Sequence, residues 1–524
     1  MNRIRKLAAV VKEGVSNPEK IKKGLKVLKN QGPVIFKERL SNSINYEPGY
    51  GRTRKVKLKS YSGDILFSIV MPVYNVDLKW LDKAIESIEK QNYKNWEICI
   101  ADDCSPNQEV REHLLSISNN KIKVKLLDKN QGISGATNEA ASLASGDYIL
   151  LMDNDDELAH SALHEFYQKI KKDGSEILYS DMDIIDAKGR TRDPLCKPDW
   201  SPDLFLSQMY LGHLVGFKKS LFDEVGGFRS EFNGSQDYDL LLRMTEKTDK
   251  IGHVAEILYH WRDLPSSTAA NPESKPYAQI AGLNAIQEHL NRVYGSGKAI
   301  AHETDNLFVY DVRYPMEEEP MVSIIIPIKD HVELLKAAID SIFEKTTYKH
   351  YEIIVLNNNS EKEETFAYLR ELVECHENVR VEDALFEFNW SKLNNYGMQF
   401  AKGDVFVCLN NDVKVIEPEW LTRLVEKAIR SDVGVVGGLL LYEDNTIQHA
   451  GVVIGMGGWA DHVFKGMNPQ HYGSPFISPM VTRNVSAVTG ACLAVSRKTI
   501  EKIGGFNEQF IVCGSDIELA LRAN

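Results

Sequence analysis

Five carboxylates stand in two short runs, each closing an apolar stretch. Asp102 and Asp103 end WEICIADD, and Asp153, Asp155 and Asp156 fall in the DNDD that ends GDYILLMDNDD. Carboxylates this close raise one another's pKa values unless a cation lies among them. Oxygen ligands select a hard ion, Mg²⁺ or Mn²⁺, and one or two carboxylates plus the phosphates of a substrate are the usual way of holding it. Taken alone, DNDD has a plainer alternative, a solvated acidic turn or a helix N-cap, because Asp before a helix is ordinary.

The elements that must position these runs alternate strand and helix. An apolar strand from Ile65 to Val73 precedes a polar-faced helix from Leu78, LKWLDKAIESIEKQ. Then follow the strand WEICIAD, a polar loop and a helix, the strand KVKLLD and the helix ISGATNEAASLAS. This order predicts an α/β domain with a largely parallel sheet and helices on both faces, in which ligands collect at the carboxyl ends of the strands. PVYN at Pro72, DDCS and DNDD each fall at such an end, so three polar motifs converge on one crevice. After Asp156 come the helix HSALHEFYQKIKKDG, the strand EILYSDMDIID and a loop, RTRDPLCKPDWSPD. Next are an apolar segment in GHLVGFKK, a VGGF turn, a helix from about Ser235, the strand ILYHWR and a helical tail from Ala278 to Tyr294.

The whole pattern then recurs. SIVMPVYN at Ser68 returns as SIIIPIKD at Ser323, 255 residues on, and the spacing widens to 257 at Asp155 and Asp412 and to 278 at Gly226 and Gly504. That widening places an insertion in the second copy, most economically residues 437–466, GGLLLYEDNTIQHAGVVIGMGGWADHVFKG. The repeat is far longer than a solenoid unit, so each copy is a domain. The expected organisation is a basic arm over 1–64, a first domain over 65–315 and a second over 316–524, joined at the acidic MEEEP. In the second copy Asn357 and Asn358 stand for Asp102 and Asp103, and Asn410 for Asp153, while Asp412 and Asp516 match Asp155 and Asp237. The sequence stops eight residues after Asp516, which predicts a truncated second domain.

Composition narrows the class. No apolar run reaches membrane-spanning length, and no signal-peptide core is present at the N-terminus, so a cytoplasmic protein is expected. The cysteines at 99, 104, 196, 375, 408, 492 and 513 lack C-x-x-C spacing and read as reduced thiols. The net charge of −12 conceals an asymmetry: residues 1–60 hold 16 Lys and Arg against 4 Asp and Glu, so this helical arm carries +12 and the remainder −24. An anionic membrane surface attracts such an arm at about 1 kcal/mol per basic residue, which would make the protein peripheral on the inner face of the membrane; a solvated helical pair packed on the first domain is the alternative. Nucleic acid is not expected, because the body of the chain is acidic and no reading motif follows the arm.

PVYN, ADDCS, G-x-S-G-x-x-N (Gly132 to Asn138), MDNDDEL, KPDWSPD, GHLVGFKKSLFDEVGGF, GSQDYDLLLR and LYHWR occur in this order, and with them the chain resembles the inverting family-2 nucleotide-sugar glycosyltransferases of the GT-A fold, especially tandem-domain bacterial enzymes of surface polysaccharide. The resemblance implies two tandem GT-A (Rossmann-like) domains, a UDP-sugar donor, a glycan or lipid-linked glycan acceptor, and Mn²⁺ or Mg²⁺. It places Pro72, Tyr74, Asn75, Asp102, Asp103, Asn138 and Asp153 around the nucleotide sugar. Asp155 becomes the metal ligand and His260 the residue completing the metal shell or touching the diphosphate, with an aromatic-cluster histidine as its plainer reading. Asp237 becomes the base that takes a proton from the attacking acceptor hydroxyl, a role that supplies about 10²- to 10⁴-fold of rate; a helix N-terminal carboxylate is its alternative, with Asp239 the expected structural neighbour. A nucleotidyltransferase or dinucleotide oxidoreductase is disfavoured because no glycine-rich nucleotide loop follows Val73. A bifunctional polymerase and a non-catalytic glycan-binding scaffold remain the competing readings.

Overall fold

The computed structural model describes residues 60–264, 276–469 and 478–524, and in it the alternation becomes two sheets built on one plan. In the first, β1 (Phe67–Val73), β2 (Trp96–Asp102), β3 (Ile122–Leu126) and β4 (Tyr148–Leu151) run parallel in the order β3-β2-β1-β4. Every residue of β1 and β2 is buried, as in any parallel strand covered on both faces. The helix Leu78–Glu89 buries Leu81, Ala84, Ile85 and Ile88 at helical spacing, and Asp77 caps it by accepting the Lys79 N–H at 2.9 Å.

Past β4 the sheet becomes mixed. β5 (Glu157–Leu158), β6 (Ile177–Ile185), β7 (Thr191–Leu195), β8 (Val215–Lys218) and β9 (Ile251–Arg262) continue it as β4-β8-β6-β9-β5, with β7 flanking β6. In this half only β6 and β9 pair in parallel. Strand direction depends on the end from which each connection re-enters the sheet, which composition does not record. The segment expected as a loop, RTRDPLCKPDWSPD, instead holds β7 and the start of the helix Pro202–Ser207. Pro194 is tolerated in β7 because that strand lies on an exposed edge, where a missing N–H breaks no ladder, and Pro202 takes the first helical position, where its N–H is not needed. The tail helix, Pro276–Tyr294, leads into a hairpin, β10 (Ile300–Glu303) with β11 (Tyr310–Arg313).

The second sheet orders β12 (Val322–Ile328), β13 (Tyr351–Asn357), β14 (Val379–Asp383), β15 (Val405–Leu409), β16 (Val435–Gly437) and β21 (Cys492–Ser496) as β14-β13-β12-β15-β21-β16. The inserted segment folds into two hairpins, β17 (Leu440–Leu441) with β18 (Ile447–His449) and β19 (Val452–Ile454) with β20 (Ala460–His462). The repeat extends to single hydrogen bonds. Ser68 Oγ donates to Glu97 at 2.7 Å and receives the Gly146 N–H at 2.9 Å; Ser323, Glu352 and Gly403 repeat this at 2.7 and 2.8 Å.

A polar seam joins the domains. Asn484 accepts the Asp203 N–H at 2.9 Å on its side-chain oxygen, donates to Asp203 Oδ2 at 2.8 Å, and donates its own N–H to Ser201 Oγ at 3.0 Å. Arg430 reaches Asp203 Oδ1 at 2.6 Å and stacks on Tyr314, 4.6 Å from the ring centre. Cys99, Cys408 and Cys492 are buried and carry no disulfide. Among the described residues no helix is long and apolar enough to cross a membrane. The basic arm, apart from residues 60–64, lies outside the described residues.

Candidate functional site

The three motif loops at the carboxyl ends of β1, β2 and β4 are tied to one another. Asn75, in the left-handed region at φ 48°, donates its N–H to Ser105 Oγ at 2.8 Å. The Asp103 N–H reaches the Val73 carbonyl at 2.8 Å, and Asn154 Nδ2 reaches the Pro72 carbonyl at 2.8 Å. Pro72 is buried and Tyr74 is exposed beside it. Asp102 is fully buried: its Oδ2 accepts Arg111 at 3.0 Å and the Ser105 N–H at 3.2 Å, whereas Oδ1 has no partner among the described residues. Asp103 accepts the Gln131 N–H at 2.6 Å. Both acids therefore brace their loop and keep one oxygen uncommitted in these contacts, the Asp102 one enclosed and unpartnered as an orphaned acceptor is when a ligand donor completes it.

DNDD is held from β9 by Tyr259 and Arg262, two residues of LYHWR. Arg262, buried beneath the ring of Trp80, donates its N–H to Asp156 Oδ1 at 2.7 Å and its Nε to the Asp155 carbonyl at 2.6 Å, and pairs with Glu157. Tyr259 donates its hydroxyl to Asp156 Oδ2 at 2.6 Å and receives the Asp153 N–H at 3.2 Å. Asp156 thus carries the turn, leaving Asp153 and Asp155 to face the crevice. Burial, and then the Asp153 charge, raise the pKa of Asp155; burial with both neighbouring charges raises that of Asp156 well above the carboxylate range. That is the condition of a carboxylate cluster wanting a cation.

Across the crevice, His213 Nε2 lies 3.5 Å from Asp153 Oδ2, its ring stacked on Tyr259 at 4.9 Å. Its Nδ1 is buried without a partner among the described residues, so the proton belongs on Nε2. Asp237, in the first turn of the helix Gln236–Thr245, is the third member. Burial raises its pKa to about 6, opposed by His213 and reinforced by Asp153. Its only side-chain hydrogen bond among the described residues is from Gln236 Nε2 at 3.4 Å, so the carboxylate is free to accept a proton. Asp239, by contrast, is buried in ion pairs with Arg229 and Arg243, which makes it the structural neighbour, through pairing rather than through the helix dipole.

Lys197, the lysine of KPDW, holds His213 in place. Its buried ammonium donates to the carbonyls of Ser180 and His213, each at 2.6 Å, and of Leu211. Burial lowers its pKa to about 7, yet three carbonyl acceptors require the three donors of the charged form. Tyr238, the residue after Asp237 in the chain, donates its hydroxyl to the Phe205 carbonyl, in the helix that the second domain grips through Ser201 and Asp203.

His260 pairs in register with Glu157, and its Nδ1 meets Asp183 Oδ1 at 2.5 Å. That bond leaves Nε2 as the lone-pair nitrogen, the arrangement by which a carboxylate orients a metal-binding histidine. Among the described residues no three His, Cys, Asp or Glu side chains form a ready cage for a metal. One expected contact is corrected. Asn138 donates Nδ2 to the Phe228 carbonyl and accepts the Phe228 N–H on Oδ1, both at 2.9 Å. It latches its helix to the VGGF turn instead of facing a ligand, and Gly227, at φ 71°, admits it because a Cβ there would lie 2.7 Å from that Oδ1.

In the second crevice asparagines replace Asp102, Asp103 and Asp153. Asn357 donates to Asp383 at 2.8 Å, and Asn358 donates to the Ala384 and Phe386 carbonyls, each at 2.8 Å. Val413 stands where Asp156 anchors the first turn, and Ala491 where His213 stands. Asp412 is exposed.

The family model of glycosyl transferase family 2 matches residues 68–226 and again 323–504. An uncharacterized protein of Sinorhizobium fredii is 40% identical over 479 residues, 90% of this chain and 52% of that protein. The O-antigen biosynthesis protein RfbC of Myxococcus xanthus is 37% identical over 464 residues, 88% of this chain and 36% of RfbC. The chain thus spans about half of the first relative and about a third of the second. Among solved structures, S. aureus TarS 1-349 in complex with UDP-GlcNAc overlaps 45% of this chain and 74% of its own, at 20% identity and a TM-score of 0.35. The motif-bearing loops recur at the strand ends of both sheets and the family match covers more than half of the sequence: the chain belongs to glycosyl transferase family 2.

Proposed function

We propose that the first domain transfers a sugar from a UDP-sugar to a growing surface glycan, with inversion and with a divalent ion. The observation that carries this reading is the cluster of Asp153, His213 and Asp237 beside Asp155: a base with a pKa near the working range faces, across an imidazole, the carboxylates suited to a diphosphate. Asp237 takes the acceptor proton as the hydroxyl attacks the anomeric carbon opposite the leaving diphosphate, and that direct displacement inverts the centre. His213 presents its Nε2 to Asp153 at 3.5 Å and, when it is protonated, moderates the repulsion between the two acids. Pro72, Tyr74, Asn75, Asp102 and Asp103 border the nucleoside. Asp155 and His260 would hold Mn²⁺ or Mg²⁺, which neutralises charge on the departing diphosphate. The match to RfbC supports a surface-polysaccharide context. The test is UDP release from a panel of UDP-sugars, with glycan acceptor, in Mn²⁺ and in EDTA; release from none of them, or equal release in both, contradicts the reading.

The second domain, in this reading, performs no transfer and positions the first. Its Asn357 and Asn358 amides point donors at protein acceptors where Asp102 and Asp103 offer carboxylates. An Asp155→Ala/Asp237→Asn double variant of the chain is therefore expected to be inactive, and transfer that survives in it but vanishes on changing Asp412 or Asp516 would make the second domain a transferase. Asn484→Ala removes the seam's two side-chain bonds to Asp203 while its backbone N–H to Ser201 stays, leaving a buried carboxylate short of a donor, at about 1–3 kcal/mol. Through the Phe205 carbonyl and Tyr238, kcat should fall several-fold while UDP affinity is kept; an unchanged kcat would uncouple the seam from the base.

A further inference from the structure

The hairpins that distinguish the second domain bring two histidines ring to ring. His449 Nδ1 and His462 Nδ1 are 2.8 Å apart, with ring centres 4.9 Å apart and planes at 81°. His449 is buried, and its Nε2 accepts the Thr489 N–H at 3.3 Å; the next N–H, of Gly490, goes to Asp516 Oδ2 at 2.9 Å. One turn therefore joins the histidine pair to the residue that matches Asp237. The hydrogen bonds also settle the tautomers. With Nε2 accepting, His449 carries its proton on Nδ1 and donates it to His462 Nδ1, so His462 carries its own on Nε2. Burial lowers the pKa of His449 to about 3, and lowers that of His462, with Lys465 adding to the effect. The half-buried His462 is thus a neutral N–H donor in a domain whose position 491, equivalent to His213, is alanine.

Arg483 supplies the second observation. Its guanidinium lies 4.8 Å over the Phe464 ring, two residues from His462, close enough to disfavour charge on His449. It donates to the Pro479 carbonyl, and among the described residues it has no carboxylate partner. The neighbouring segment 470–477, QHYGSPFI, contains no acid. Burial lowers its pKa to about 10, so it stays charged at neutral pH. A half-buried cation with five donors and no carboxylate partner among the described residues is costly unless an anion completes it.

We propose that this crevice binds an anionic saccharide, with Arg483 taking a phosphate or carboxylate group carried on a sugar, His462 Nε2–H donating to the ligand and Asp516 accepting a hydroxyl. The inference goes beyond the transfer assigned to the first domain and does not depend on it. It gives a positioning domain something to position, an acidic or phosphorylated stretch of acceptor.

The test is calorimetric titration of the full chain in EDTA with glucose 1-phosphate, glucuronate and glucose. One or both anions should bind and glucose should not; which anion binds separates a phosphate from a carboxylate ligand. Arg483→Gln should weaken binding about tenfold or more, Arg483→Lys less, and His462→Ala several-fold, with Asp155→Ala without effect. Equal binding of glucose, no binding of either anion, or full affinity in a folded Arg483→Gln protein would overturn the proposal. Loss of binding in Asp155→Ala would move the site to the first domain and overturn it too. If Arg483→Gln does not fold, Arg483→Lys and His462→Ala carry the same decision, and unchanged affinity in both rejects the site.

Discussion

Asp237→Asn is expected to lower sugar transfer by at least about 10²-fold while UDP binding stays nearly unchanged, because in the proposed reaction Asp237 acts on the acceptor and not on the nucleotide. The parent should lose activity as the pH falls through about 6, where the buried carboxyl protonates and can no longer accept. Stability moves the other way. A carboxyl whose folded pKa is raised contributes stability below its unfolded pKa of 3.8 and loses that contribution as pH rises through about 6. The amide variant should therefore be more stable than the parent at pH 7, by about 1–3 kcal/mol, with the gap closing towards pH 4. Denaturant titrations at the two pH values, alongside initial rates and UDP calorimetry, check all three. A folded variant that no longer binds UDP would reassign Asp237 to the donor side.

The second large effect is expected from Asp155→Ala, which should remove the divalent dependence of UDP binding and abolish transfer. Loss of a residue that only orients a metal ligand costs about 10- to 100-fold in metal affinity, and loss of the ligand itself costs at least that. The fold should survive, since the turn hangs on the Asp156 carboxylate and the Asp155 carbonyl, both retained in the variant. Calorimetry with UDP in Mn²⁺ and in EDTA makes the comparison. The parent should bind more tightly with the ion and the variant equally in both; a variant as ion-dependent and as active as the parent would remove Asp155 from the metal site.

Local patterning in the sequence determined the two-domain plan. Strand and helix periods depend on neighbours a few residues apart, so β1, β2, β4 and their helices are legible, and so is the gathering of PVYN, DDCS and DNDD at one end of a sheet. The copy at an offset of 255 is legible for the same reason, down to the Ser68 and Ser323 hydrogen bonds. What each side chain touches across the fold was decided only by tertiary structure. Nothing near Asn138 indicates that its amide closes on Phe228, 90 residues away. Arg262 grips the Asp155 carbonyl across 107 residues, and Asn484 meets Ser201 across 283. Lys197 and His213 lie inside motifs already visible, yet their joint support of Asp153 and Asp237 appears only once β6 and β8 are adjacent. A hydrogen bond between distant segments leaves no period in either one, so the sequence names the residue types at the crevice while packing assigns which of them are braces and which face the ligand.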